Sequence, residues 1–379
     1  MTAVAVLKLV DDGLLDLDED VNHYLKSWKV PPNGCWQPRI TLRQLLSHSA
    51  GATVDGSPGY RRGRPVPATQ EVLDGRGPAN TPPVRINLLP GVQQRYSNGG
   101  ITIVQLLLAD ITGMPFPRLM REMVLDPIEM KRSTFEQPLP RVLWPIAASG
   151  HRGQDGVLAG RWHVYPEMAA VGLWTTPSDL LRFAAAVQMS VAGTPGSILR
   201  ANTANQMLTR QAGGSMGLGF MIDGSGSSTR FGHTGRSHSF RSTLQVQAFH
   251  GGGVAVMINS DARWDVCQEV VASVMREYAW PAETTSHRPS PNACPAAGPL
   301  DRFAGEYRSA SGLAFRVVAG DGQLSVSAAG QAAIPFWPVS GARFQAHVIN
   351  AVVDFVDDAG VVTGLRLVQE GKETPAAKV

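Results

Sequence analysis

Apolar positions crowd the start of the chain. In residues 1–15 (MTAVAVLKLVDDGLL), Val4, Val6, Leu7, Leu9 and Val10 leave almost no polar face. A helix that is apolar all round belongs inside a core, and Gly13 supplies the left-handed residue that ends it. Only Thr2 is on hand to cap its first free N–H groups, and a buried helix with an uncapped, charged amino end is costly. The pattern therefore predicts that Met1 lies within the first turn of a longer helix.

Farther along, PPNG at 31–34 marks a turn. Thr41, with Gln44 three residues later, forms a capping box, and Leu42, Leu45 and Leu46 make the buried stripe of the helix it opens. That helix breaks at Ser47-His48-Ser49-Ala50-Gly51. Residues 51–95, rich in Gly and Pro, read as a long irregular excursion. Residues 101–110 predict an apolar helix closed by Gly113 and Pro115, and 117–127 a second, shorter one. Thr176-Pro177-Ser178-Asp179 combines a cap, a proline at the first helical position and an acid three residues after the cap, opening a helix over 180–189. Residues 218–222, 241–248 and 253–259 predict strands, the last two joined by Gly251-Gly252, with a helix over 265–278 lying across them. Residues 281–300 predict a Pro-rich linker. Beyond it, 301–379 shows short alternating runs (FRVVA, QLSVSA, AVVDFV, GLRLV) split by turn residues, a small antiparallel β-barrel or curled sheet. Phe336 and Trp337 in that segment read as core.

Composition narrows the function classes. Hydrophobic residues at 43% support real cores, and charged residues at 17% are too few for a disordered or coiled-coil chain. The net charge of +3 comes without a Lys/Arg cluster interleaved with aromatics, so nucleic acid is not an expected partner. Arg61-Arg62-Gly63-Arg64 reads as a solvated loop. Cys35, Cys267 and Cys294 have neither the even count of a disulfide scaffold nor metal-site spacing. No metal or organic cofactor is implied, and no apolar run is long enough for a transmembrane segment.

Two tripeptide motifs carry the chemistry. In Tyr96-Ser97-Asn98, a phenol acts as a base only beside cations that hold its phenolate, and Asn98 offers both a donor and an acceptor for a substrate amide. In Gly232-His233-Thr234-Gly235, just ahead of a strand-like segment, Gly232 permits close backbone approach. His233 titrates near neutrality and can donate to Tyr96 or to a substrate carboxylate. Gly235 leaves room for a substrate strand, and the Arg236 N–H is a candidate oxyanion donor. Either motif alone reads equally well as a turn or an edge strand. His48, His163 and His238 read as ordinary structural histidines. Ser49 lacks the first glycine and the preceding strand of a nucleophile elbow.

Together, in this order, the motifs give a resemblance. The stretches TAVAVLKLVDDGLLDLDEDV, ITLRQLLSHSAG, PGVQQRYSNGG, GRWHVYPEMAAVGLWTTPSDLLRF and RFGHTG, with the strand pair running to VMINSD, resemble the β-lactamase-related serine hydrolases: class C β-lactamases, DD-peptidases, D-aminopeptidases and esterases. The resemblance covers most of residues 1–280. It implies an α/β (α+β) fold, an antiparallel sheet flanked by helices with a helical subdomain, followed at 301–379 by a lipocalin-like β-domain. It implies Tyr96 as the base-side tyrosine and Asn98 as the substrate-amide contact. Thr234 and Gly235 become substrate-binding residues, and the Arg236 N–H an oxyanion donor. His233 stands where β-lactamases have lysine, a variant of the peptidase-like and esterase-like members.

The family's nucleophile sits in Ser-x-x-Lys, and no lysine here (Lys8, Lys26, Lys29, Lys131, Lys372, Lys378) has a serine three residues before it. In the family that motif runs directly into TAxAVLxLV, so its expected place is just before Met1, along with paired N-terminal strands. Without those strands, the sheet over 218–259 is expected to have an unpaired edge. The expected function is a serine hydrolase forming an acyl-enzyme on a small-molecule or peptide substrate: an ester, a D-amino-acid amide or a β-lactam. The alternative is an inactive homologue that keeps Tyr96, Asn98 and His233 as walls of a binding pocket.

Overall fold

The computed structural model describes residues 1–32, 37–88, 90–91, 94–153, 156–212, 214–261, 264–280, 299–310, 314–320, 322–328, 333–346, 351–358, 360–369 and 372–379. Cys35, Cys294 and the expected linker up to residue 298 lie outside them. One unit comprises Met1–Arg263 and Glu269–Ala282, the other Trp264–Gln268 and Glu283–Val379.

The apolar start of the chain forms α1 (Thr2–Asp11), with Val4, Ala5, Val6 and Leu7 all at 0% exposure. Met1 stands at its N-cap without a side-chain cap, and Gly13 takes φ 74° after its last turn. The capping box at 41–44 forms as expected. Thr41 Oγ1 accepts from the Gln44 N–H at 3.2 Å and Gln44 Oε1 accepts from the Thr41 N–H at 3.1 Å, opening α2 (Leu42–Leu46).

The next long helix, α3 (Asn98–Thr112), begins three residues earlier than its apolar period suggests. Ser97 Oγ accepts the Gly100 N–H at 2.9 Å and so caps the helix. A Cβ on Gly99 would meet the Thr53 carbonyl oxygen at 2.8 Å and Val84 Cγ2 at 2.7 Å. Close packing therefore requires a glycine at 99, at the start of the helix. In α4 (Pro177–Val191) the Thr176 hydroxyl caps the Asp179 N–H, and buried Asp179 accepts from Arg132 N, Ser133 Oγ and Arg182 Nη1.

The sheet has four antiparallel strands in the order β1 (Met221–Asp223), β2 (Arg230–Ser237), β3 (Phe240–Gln247) and β4 (Gly253–Ile258). Two expectations need correction. The strand at 218–222 shrinks to β1, because Gly219 turns the chain at φ 83° while Leu218 and Phe220 drop into the core. The Gly-His-Thr-Gly motif lies inside a strand, not ahead of one. Pairing with β3 over eight residues holds β2 extended despite its two glycines. The α1–α4 helices and the inner faces of β2 and β3 (Phe231, Leu244, Val246) share one core. Helix α5 (Trp264–Glu277) brings Val271 against Val254 and Trp280. Among the described residues, β4 pairs only with β3, so that edge is open. No single helix among them is long and apolar enough to cross a membrane.

The second unit is a closed eight-stranded antiparallel barrel spanning Gly305–Ser309 to Lys372–Lys378. Its interior is filled by rings: Phe303 lies 4.6 Å from Phe355 and 5.0 Å from Phe344, centroid to centroid. Tyr307 donates its hydroxyl to the Phe303 carbonyl at 2.7 Å. Phe336 belongs to this core, whereas Trp337 is half-buried. Across the strands, Arg343, Asp354, Arg366 and Glu373 alternate in sign, with contacts of 3.3 to 3.5 Å.

Candidate active site

Three chain segments converge at one point: the head of α1, the head of α3, and the middle of β2. Tyr96 directly precedes the cap of α3 and is 44% exposed. Its ring centroid lies 6.0 Å from that of His233 on β2, tilted by 43°. Burial pushes the Tyr96 phenol above its ordinary range. His233 is pushed below its ordinary value, first by burial, with a further push from the nearby Met1 amine. Its Nδ1–H donates to the Thr234 carbonyl at 2.6 Å, which opposes that trend and leaves Nε2 free to accept. The Met1 amine is itself buried and pushed down to about 5 by desolvation. Near neutral pH all three groups are therefore uncharged, so none of them supplies a cation to hold a phenolate at Tyr96.

The other expected site residues follow from these elements. Asn98 opens α3, is 5% exposed, and points Nδ2 at Ser57 Oγ, 3.5 Å away. Thr234 and Arg236 are exposed on β2, on the same strand as His233. Gly235 leaves room across the strand as well: a Cβ there would meet Ser242 Oγ on β3 at 2.1 Å, so that hydroxyl would have to rotate away. Gly232 does permit close approach, since its Cβ would lie 2.0 Å from the Leu244 carbonyl oxygen.

Four groups escaped the sequence reading. His48, read as merely structural, stacks on Tyr96 with ring centroids 4.1 Å apart. The signal for it was a histidine just after a capped helix, where the chain must turn back; it takes φ 56°. His163 and His238 lie parallel, 4.2 Å apart and 3° from coplanar. His163 donates Nδ1–H to the Pro58 carbonyl, and the His238 N–H donates to the Tyr165 hydroxyl. Glu167 is 1% exposed, and neither carboxyl oxygen has a hydrogen-bond partner on another described residue. It starts a turn (Met168–Val171) whose Ala169 carbonyl accepts the Thr2 hydroxyl at the head of α1. No group of three His, Cys, Asp or Glu among the described residues is arranged to hold a metal.

Comparison with known proteins follows the same outline. D-alanyl-D-alanine-carboxypeptidase/endopeptidase AmpH of Escherichia coli (strain K12) is 26% identical over 190 residues, 48% of this chain and 45% of its own. The chain spans less than half the length of the curated relatives it matches. Among solved structures, the octameric penicillin-binding protein homologue from Pyrococcus abyssi shares the fold over 99% of this chain and 85% of its own, with a TM-score of 0.57 and 19% identity. The D-amino acid amidase from Ochrobactrum anthropi SV3, complexed with D-phenylalanine, shares it over 73% of this chain and 81% of its own, with a TM-score of 0.58 and 22% identity. The beta-lactamase family model matches residues 1–272; with the paired Tyr96 and His233 at the head of a buried helix, this chain belongs to the beta-lactamase family of serine hydrolases.

Proposed function

We propose that Tyr96, His233 and Asn98 form the proton-handling and substrate-gripping half of an acyl-transfer site. Its serine and lysine belong to the turn that leads into α1, ahead of Met1. The observation that carries this reading is that Tyr96 and His233 face each other at 6.0 Å at the head of α1, while no lysine of the chain has a serine three residues before it. A lysine at that spot supplies the cation that the site otherwise lacks. A serine one turn earlier attacks the acyl carbonyl and passes its proton to the Tyr96 phenolate that the lysine ammonium holds. The leaving group takes that proton, and water then releases the acyl group. Asn98 grips the substrate amide. Thr234 and Gly235 line the substrate along β2, and the Arg236 N–H faces the oxyanion.

Among esters, D-amino-acid amides or peptides and β-lactams, D-amino-acid amides and peptides are favoured. His233 replaces a lysine, and the D-amino acid amidase and D-alanyl-D-alanine carboxypeptidase carry such substrates in their names.

The test is intact mass after exposure to a fluorophosphonate. Residues 1–379 take up no adduct, and the chain extended by the residues encoded upstream takes up one. A stoichiometric adduct on residues 1–379 places the nucleophile on another serine and overturns the assignment. An extended chain without Ser-x-x-Lys and without an adduct favours the pocket-wall alternative.

A further inference from the structure

His48 is 5% exposed and adopts φ 56°, a backbone region in which histidine, asparagine and aspartate are over-represented among residues with a Cβ. From there it reaches three consecutive residues. Its carbonyl accepts the Arg95 N–H at 2.8 Å. Its ring lies over the Tyr96 ring at 4.1 Å, tilted by 35°. Its Nδ1 accepts the Ser97 N–H at 3.1 Å. Ser97 in turn caps the helix that opens with Asn98, through its hydroxyl to the Gly100 N–H.

We infer that His48 is a positioning residue for the acyl-transfer site, gripping residues 95, 96 and 97 so that the Tyr96 phenol and the Asn98 amide keep one fixed relation. This deepens the function proposed above and rests on Tyr96 being its base-side group.

The residue type follows from the geometry. The position needs tolerance of positive φ, an acceptor in the plane of the side chain, and a flat face for the phenol. Asparagine supplies the first two and phenylalanine only the third; histidine supplies all of them. An acceptor at Nδ1 means the neutral ring carries its proton on Nε2. Burial, with His233 adding to it, pushes the imidazole down to about 3. His48 thus stays uncharged while Tyr96 takes up and returns the reaction's proton, so its hold does not vary with the state of the reaction.

The experiment uses the full chain labelled with 3-fluorotyrosine. Tyr96→Phe identifies one fluorine line among the six tyrosines. His48→Asn keeps the acceptor and the backbone conformation but removes the ring. The Tyr96 line then moves by several linewidths, and the phenol titrates closer to its ordinary range, while the melt changes little. His48→Phe keeps the face and loses the acceptor. The Tyr96 line stays near its native position, and the melt falls because a buried Ser97 N–H is left unpaired.

A Tyr96 line unmoved by His48→Asn overturns the inference, as does an identical response in both variants. Nitrogen-15 spectra of the histidines in the unaltered chain give a check that needs no variant: His48 shows an unprotonated Nδ1 and does not titrate from about pH 5 to pH 8. A protonated Nδ1, or titration in that range, overturns it too. None of these readouts needs turnover, so their failure is distinct from a failure of the fluorophosphonate test.

Discussion

Glu167 offers the sharpest link between this structure and a measurable free energy. A carboxyl at 1% exposure, with no hydrogen-bond partner on another described residue, is held above its ordinary value of 4.5 by desolvation, opposed by its own backbone N–H. The unfolded chain ionises it near that ordinary value. In the native state it keeps its proton to higher pH. Between the two values the native state binds the extra proton, so Glu167's contribution to stability is greatest below pH 4.5 and falls as pH rises toward the raised native value. The slope in that window is about 1.4 kcal/mol per pH unit, or roughly 3–5 °C in Tm for a domain of this size. Glu167→Gln keeps the shape and cannot ionise. Thermal melts of both proteins at pH 4, 5, 6 and 7 and constant ionic strength should show similar Tm values at the acid end. Toward neutrality the variant should gain progressively on the parent. A Tm difference that is flat with pH, or one in which the parent gains as pH rises, refutes the reasoning.

Other outcomes follow from single contacts. Asp18 accepts from Arg43 Nε and Nη2, each at 2.7 Å, and its carboxyl is lowered chiefly by that hydrogen bond. With Asp18 62% exposed the pair is worth less than about 1 kcal/mol. Asp18→Asn should therefore lower Tm slightly at pH 7 and not at all below Asp18's lowered native value, as double-mutant melts with Arg43→Gln will show. Thr41→Ala removes one half of the capping box and should cost about 1 kcal/mol in denaturant midpoints at unchanged m. Gly232→Ala forces a Cβ to within 2.0 Å of the Leu244 carbonyl oxygen and should unfold or severely destabilise the sheet. Gly56→Ala, with open space and an ordinary φ, should melt like the parent by differential scanning calorimetry.

How much of this could be read along the chain depends on the range of the forces involved. Caps are local: Thr41, Gln44 and Thr176 announce their helices because donor and acceptor lie within one turn. Apolar period is local too, so α1 and the alternating runs of the barrel were legible. The start of α3 was not, because Gly99 and Gly100 are poor helix formers, and close packing against Thr53 and Val84 demands the first of them. Nor was β2 legible as a strand, since its extended form comes from pairing with β3.

The site divides in the same way. The residue types of Tyr96, Asn98 and His233, and the lack of a serine three residues before any lysine, belong to the sequence alone. Tertiary structure decided that Tyr96 and His233, 137 positions apart by their numbers, face each other at 6.0 Å at the head of α1. It also decided that His48 is stacked on the tyrosine while Glu167 lies sealed with no partner on another described residue. Chemical identity and short-range hydrogen bonding are written residue by residue. Desolvation and ring contact arise only when distant segments are packed together, and the shifts in proton affinity at this site come from that packing.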